Sequence, residues 1–195
     1  MLLKTSLFIF LSTIWLTLSS CQSNISSEEG YKNLLNGKDL TGWCYREKKT
    51  MKVLDSFEGK TDSTDKRFSA DKGKLVVNSG QGINQIWTLE EFPGDFVLKL
   101  EFRAAVNADS GIFIRGPQLQ CRDYLVAGPK AYQNLKKYKA QDWNEIIITV
   151  KGTQAFCTCN GEVLEFTRKL PQSGPIGLEA DRDQMEYRNI RIKAE

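Results

Sequence analysis

Two glutamines two positions apart, Gln118 and Gln120, alternate with Leu119 and Cys121, and Arg115 closes the apolar stretch just before them. Successive side chains of an extended strand point to opposite faces, so Gln118, Gln120 and Arg122 share one face. The same period sets Phe113 and Arg115 against Ile112 and Ile114, and Lys99, Glu101 and Arg103 against Leu98, Leu100 and Phe102. If these three strands are neighbours, Arg103, Arg115, Gln118 and Gln120 converge on one face with aromatic rings nearby. Planar amides and guanidiniums hydrogen-bond hydroxyls, and aromatic rings cover the apolar faces of sugars, so the chemistry would suit a carbohydrate. A solvated sheet face with ordinary cross-strand pairs is the competing reading.

Composition narrows the chemistry further. The 195 residues include 27 Lys+Arg, 24 Asp+Glu and no histidine. Without imidazole there is no Ser-His-Asp triad, no Cys-His pair and no His-ligated zinc; proton transfer falls to carboxylates, Lys, Tyr or Cys. A formal charge of +3 with no basic block gives no electrostatic case for nucleic acid. No Asp-rich calcium loop of EF-hand type is present, so no metal ligands and no cofactor are assigned, and a divalent cation is left open.

The elements that must position these residues read as strands. Residues 96–103 alternate cleanly between faces, and residues 145–151 (EIIITVK) are β-branched and read as a more deeply buried strand. Residues 155–159 and 163–166 flank Asn160-Gly161, a hairpin signal. Residues 75–77, 83–87, 111–115, 176–180 and 185–192 complete the set, with Gly and Pro at the joints. Helical periodicity is not sustained for three turns from Tyr31 onward; residues 131–139 form at most a short surface helix. About a dozen short strands and almost no helix predict a β-sandwich or jelly roll, in one domain over residues 31–195.

Ahead of it, residues 1–20 carry one early lysine, an apolar run over residues 7–18 and small residues before Cys21, the pattern of an export signal. Leu18-Ser19-Ser20-Cys21 resembles the bacterial lipoprotein box, in which the cysteine after the cut is acylated. That resemblance implies a lipid on Cys21, a polar tether over residues 21–30 and an exported lipoprotein of the bacterial cell envelope, held at a membrane surface. Cys44, Cys121, Cys157 and Cys159 remain, as buried thiols, as one disulfide pair or, least favoured for want of a CxxC knuckle, as metal ligands.

Blocks spread along nearly the whole chain carry a family resemblance. They are LLNGKDLTGW (34–43), GDFVLKLEFR (94–103), DSGIFIRG (109–116), DWN (142–144), Asn160-Gly161, GPIGLE (174–179) and YRNIRI (187–192). In this order they are similar to the 3-keto-disaccharide hydrolase-like family. The resemblance implies an all-β, concanavalin A-like jelly-roll sandwich and a protein that cleaves glycosides oxidised at carbon 3. In that chemistry the ketone acidifies the proton on carbon 2, a base removes it, and the carbon 1 substituent leaves by elimination. It implies Asp123, Glu179 and Asp181 as candidate acid–base groups, and Lys130 and Tyr132 beside Arg103, Arg115, Gln118 and Gln120 as substrate ligands. Three positions depart from the family pattern: Gln118 stands where a glutamate is common, Glu179 where a glutamine is, and Asp181 where a histidine is. Either Glu179 or Asp181 has taken over the reaction, or the groove binds sugar without catalysis.

Overall fold

The computed structural model describes residues 28–126, 128–164 and 169–195. The leader, Cys21 and most of the tether lie outside them, as do the last residues expected in the strand over 163–166. Fourteen strands and one helical turn make up the described fold. In chain order the strands are β1 (Lys32–Asn33), β2 (Trp43–Arg46), β3 (Val53–Ser56), β4 (Phe68–Asp71), β5 (Lys74–Val77), β6 (Asn84–Thr88), β7 (Phe96–Ala104), β8 (Asp109–Ile114), β9 (Gln118–Arg122), β10 (Asn144–Lys151), β11 (Gln154–Cys159), β12 (Glu162–Leu164), β13 (Ile176–Ala180) and β14 (Met185–Ala194). The turn of helix, α1, is Lys130–Gln133.

Two sheets stack face to face. The larger runs β12-β11-β10-β7-β14-β5-β4, with β1 added along β14; the smaller runs β3-β2-β6-β13-β8-β9. All their pairings are antiparallel. Period-two alternation builds the core: Phe96, Leu98, Leu100, Phe102 and Ala104 of β7 are buried while the residues between them are half-exposed. They meet Ile112, Ile114, Leu119 and Leu178 from the smaller sheet in one apolar cluster. This is the expected all-β jelly-roll sandwich.

Local chemistry matches the turns. Asn160 and Gly161 both have positive φ, 48° and 79°, as a two-residue type I′ hairpin turn requires. The Asn160 side chain also accepts the Glu145 N–H at 2.9 Å and donates to the Lys137 carbonyl at 2.7 Å, tying the β11–β12 turn to the start of β10. β10 differs from the expected deeply buried strand. Ile147 and Thr149 are half-exposed on its outer face, opposite Lys99 and Val97 of β7, because the larger sheet is covered on one side only.

The N-terminal segment is clamped to this larger sheet. Glu28 accepts from Lys99 at 2.6 Å and from Arg191 at 2.9 Å. The Tyr31 ring lies 4.7 Å from the Lys99 ammonium and 5.8 Å from the Arg191 guanidinium, and Lys32 and Asn33 pair with Ile192 and Arg191.

Candidate functional site on the outer face of the smaller sheet

On β13, Ile176, Leu178 and Ala180 enter the core, so Gly177 and Glu179 face outward. The register sets Glu179 beside Gln85 of β6. Gly111 of β8 pairs with Gln120 of β9, and Phe113 with Gln118. Gly177 lies between Trp87 of β6 and Phe113 of β8. Glu179 is thus surrounded by three amides and backed by two aromatic rings.

The amides are linked to it. Gln118 Nε2 donates to Glu179 Oε2, and Gln120 Nε2 donates to Gln118 Oε1 at 3.3 Å. Gln85, directly opposite on β6, also bears on the Glu179 carboxyl. The Trp87 and Phe113 rings pack with centroids 5.0 Å apart and form, with Cys44, an apolar cluster separate from the core, against which Met51 packs.

Two glycines make this arrangement possible. A Cβ on Gly111 would lie 2.0 Å from Gln118 Nε2, so only a bare α-carbon lets the Gln118 side chain cross β8 to reach Glu179. A Cβ on Gly177 would lie 2.5 Å from Trp87 Cε3, so the indole rests on that glycine.

Glu179 is only 8% exposed although it stands on an outer face. Burial pushes its carboxyl above the ordinary glutamate range; the Gln118 and Gln85 amides pull the other way, and the Asp181 and Asp109 charges add to the rise. A carboxylate raised by desolvation, held by amides and placed on an aromatic wall can accept a proton and grip hydroxyls. One residue row away, Asp109 is bracketed by Arg122 and Arg182. Burial works to raise its carboxyl, but the two guanidiniums prevail and hold it below the usual range.

The structure divides the residues expected to act together. Gln118, Gln120 and Glu179 share this face, and the Asp181 charge acts on it. Arg103 does not join them: it sits on β7 in the other sheet, paired with Glu186. The alternation fixed its parity correctly, but parity says nothing about which sheet a strand joins. Arg115 follows β8 with φ 54°, which turns its side chain off the face. It is 3% exposed and donates to the carbonyls of Phe92, Gly94 and Pro171, a structural brace. Asp123 is 2% exposed and accepts from the Asn107 N–H at 3.4 Å, Tyr138 Oη at 3.4 Å and Gln141 Nε2 at 3.2 Å; it ties loops together. Tyr132 is buried, its ring 5.2 Å from that of Tyr124, and Lys130 is exposed at the start of α1.

Cys44, Cys121, Cys157 and Cys159 are buried free thiols. Burial pushes Cys157 and Cys159 up to about 12, which keeps them protonated and poor nucleophiles. Among the described residues no group of three or more Cys, Asp or Glu is arranged to hold a metal ion.

Gln85 and Gly177 are site residues that sequence reasoning passed over, and Trp87 is one it assigned to the core rather than to this outer cluster. The available signal was spacing: Gln85 and Trp87 lie two apart, as do Gly177 and Glu179, so each pair shares a face.

Comparisons with known proteins agree with this architecture. The family description of a 3-keto-alpha-glucoside-1,2-lyase-like domain matches residues 30–193. No curated protein sequence matches the chain. Two solved structures from Parabacteroides distasonis, each provisionally designated a glycosyl hydrolase, superpose on it. The first has a TM-score of 0.65 at 17% identity, over 86% of this chain and 94% of that one. The second has a TM-score of 0.57 at 19% identity, over 85% of this chain and 99% of that one. A carbohydrate-binding module from Bacillus subtilis has a TM-score of 0.50 at 9% identity, over 79% of this chain and 96% of that one. At these identities the likeness is one of fold.

Proposed function

The chain belongs to the 3-keto-alpha-glucoside-1,2-lyase-like family, and from that premise we propose that it cleaves glycosides oxidised at carbon 3, with Glu179 as the proton acceptor. One observation carries the assignment: a carboxylate raised by burial, gripped by Gln118 and set opposite Gln85, on the face where Trp87 and Phe113 form an aromatic wall.

The reaction needs no imidazole. Glu179 takes the proton from carbon 2, and the electrons of that C–H bond become the double bond between carbons 1 and 2. The bond from carbon 1 to the departing oxygen breaks, its electron pair going to that oxygen, which takes back the proton now held by Glu179 and so restores the carboxylate. Water adding across the double bond completes hydrolysis. Negative charge gathers on the carbon 3 oxygen as carbon 2 loses its proton, and preorganised donors stabilise such charge; the amides beside Glu179 are suited to this. The rings of Trp87 and Phe113, themselves buried, back the site with an apolar floor that keeps water from its inner side.

The test is release of a chromophore from a 3-keto-glucoside carrying a chromogenic leaving group. Glu179→Gln, which keeps the hydrogen-bonding shape, should lower kcat by about 10²–10⁴-fold while sugar binding persists. If the wild-type protein binds the keto sugar and releases nothing, with or without a divalent cation, the face is a sugar-binding surface and the catalytic assignment fails. Gln118, Glu179 and Asp181, the three departures from the family pattern, make that outcome worth measuring first.

A further inference from the structure

A second polar cleft lies on the other sheet, at the end where β7 runs out and β14 begins. It encloses about 250 Å³ and is lined by Arg103, Ala104, Ala105, Gln141, Gln184 and Glu186. We propose that this cleft binds one neutral monosaccharide unit, independently of Glu179.

Its polar groups are held in place but not used up. Glu186 accepts from Arg103 Nε and, at 2.6 Å, from Lys74 Nζ. The Arg103 guanidinium also lies 5.0 Å over the Trp143 ring. These contacts fix the fork, and Arg103 Nη1 has no hydrogen-bond partner among the described residues. Gln141 adopts φ 55°, a left-handed conformation uncommon for such a side chain, and its Nε2 is held by buried Asp123 at 3.2 Å. That leaves Gln141 Oε1 without a partner among the described residues. The Gln184 amide, exposed on the opposite wall, likewise has no side-chain partner among the described residues. The cleft therefore presents donors from a guanidinium and an amide and acceptors from two amides. That is the complement of a ring bearing several hydroxyls.

Size and charge set the ligand class. The volume falls below the roughly 300–1,000 Å³ of sites for drug-sized ligands, which favours one ring over a disaccharide. Arg103 and Lys74 are balanced by Glu186 and by Asp71, the latter 3.7 Å from Lys74, so no net charge draws an acidic sugar.

The test is an NMR titration of the full chain, labelled with nitrogen-15, against methyl α-glucoside and, separately, glucuronate. The expected result is saturable movement of the Gln141 and Gln184 side-chain amide signals with methyl α-glucoside, unchanged in Glu179→Gln. Gln184→Ala, an exposed change that leaves the fold alone, should weaken binding by roughly tenfold, the loss of about one hydrogen bond. Arg103→Lys, which keeps the charge and removes the fork, should weaken it likewise. The proposal is overturned if those amides do not move saturably, if movement is confined to the Glu179 face, or if glucuronate binds more tightly than the neutral sugar.

Discussion

Replacing Gly177 by alanine isolates the aromatic wall from everything else in the site. The backbone there is extended, so the methyl group is the whole perturbation. It would sit 2.5 Å from Trp87 Cε3 and 2.7 Å from Cζ3, where ordinary contact begins near 3.4 Å. The indole must move by close to an ångström, and it is 5% exposed and packed against Phe113. Overpacking of this kind costs about 1–3 kcal/mol, against which Gly→Ala in a strand normally gains about 0.5–1 kcal/mol. The net expectation is a loss of up to about 2.5 kcal/mol, centred near 1 kcal/mol, read as a lower urea midpoint at unchanged slope. In a Trp87→Leu background the ring is gone and the penalty should vanish, so the double-mutant cycle reports the clash directly. A Gly177→Ala protein as stable as wild type or more so, or an equal penalty in the Trp87→Leu background, refutes the claim that the indole rests on this glycine.

Gly111→Ala should behave differently: the atoms it meets all belong to the Gln118 side chain, which must swing off β8 as a whole and can do so toward solvent, so stability changes little. Losing the Gln118 bond should raise the Glu179 carboxyl still further and move the acid limb of the rate–pH profile upward. Glu179 also sets a sign for stability. Its raised folded-state value means the native protein holds the proton longer than the unfolded chain. Wild type should therefore lose stability relative to Glu179→Gln as pH rises from the ordinary carboxylate range through the raised one, as urea midpoints across pH would show. Asp109→Asn should cost about 1–3 kcal/mol near neutral pH by weakening its hydrogen bonds to Arg122 and Arg182. Because Asp109 is held low, that difference should shrink on acidification. Asp123→Asn should lower the midpoint through the loops it ties while leaving any turnover within a few-fold of wild type. Cys21→Ala should shift the protein from the membrane to the soluble fraction; a variant that still sediments with membranes contradicts lipid attachment there.

What the sequence disclosed and what it withheld follow from one distinction. Periodicity reports parity within a strand, and parity was right for β7, β8 and β9. Neighbourhood between strands is set by long-range pairing. That is why Arg103 was grouped with Gln118 although their strands belong to different sheets. Arg115 was misplaced for a local reason: one residue with positive φ after a strand end breaks the alternation. The strands β1 to β4 escaped notice for local reasons: β1 has two residues, β3 and β4 are short edge strands, β3 with Val53 and Leu54 exposed, and β2 loses register with β3 between Tyr45 and Arg46. Glu179 was legible as a carboxylate in a matching block, but its burial depends on Gln85 and Gln118, 94 and 61 residues earlier in the chain.

The clamp at residues 28–33 gives the domain a handle and a direction. Whatever precedes Glu28, a pull on it enters the larger sheet, through Lys99 on β7 and Arg191 on β14, two strands that are paired with each other. The load is received by the middle of one layer and reaches the other only through the apolar core. The outer face bearing Glu179 has its back to that point of attachment, so a molecule held by its N-terminal segment turns this face away from its support and toward arriving ligand.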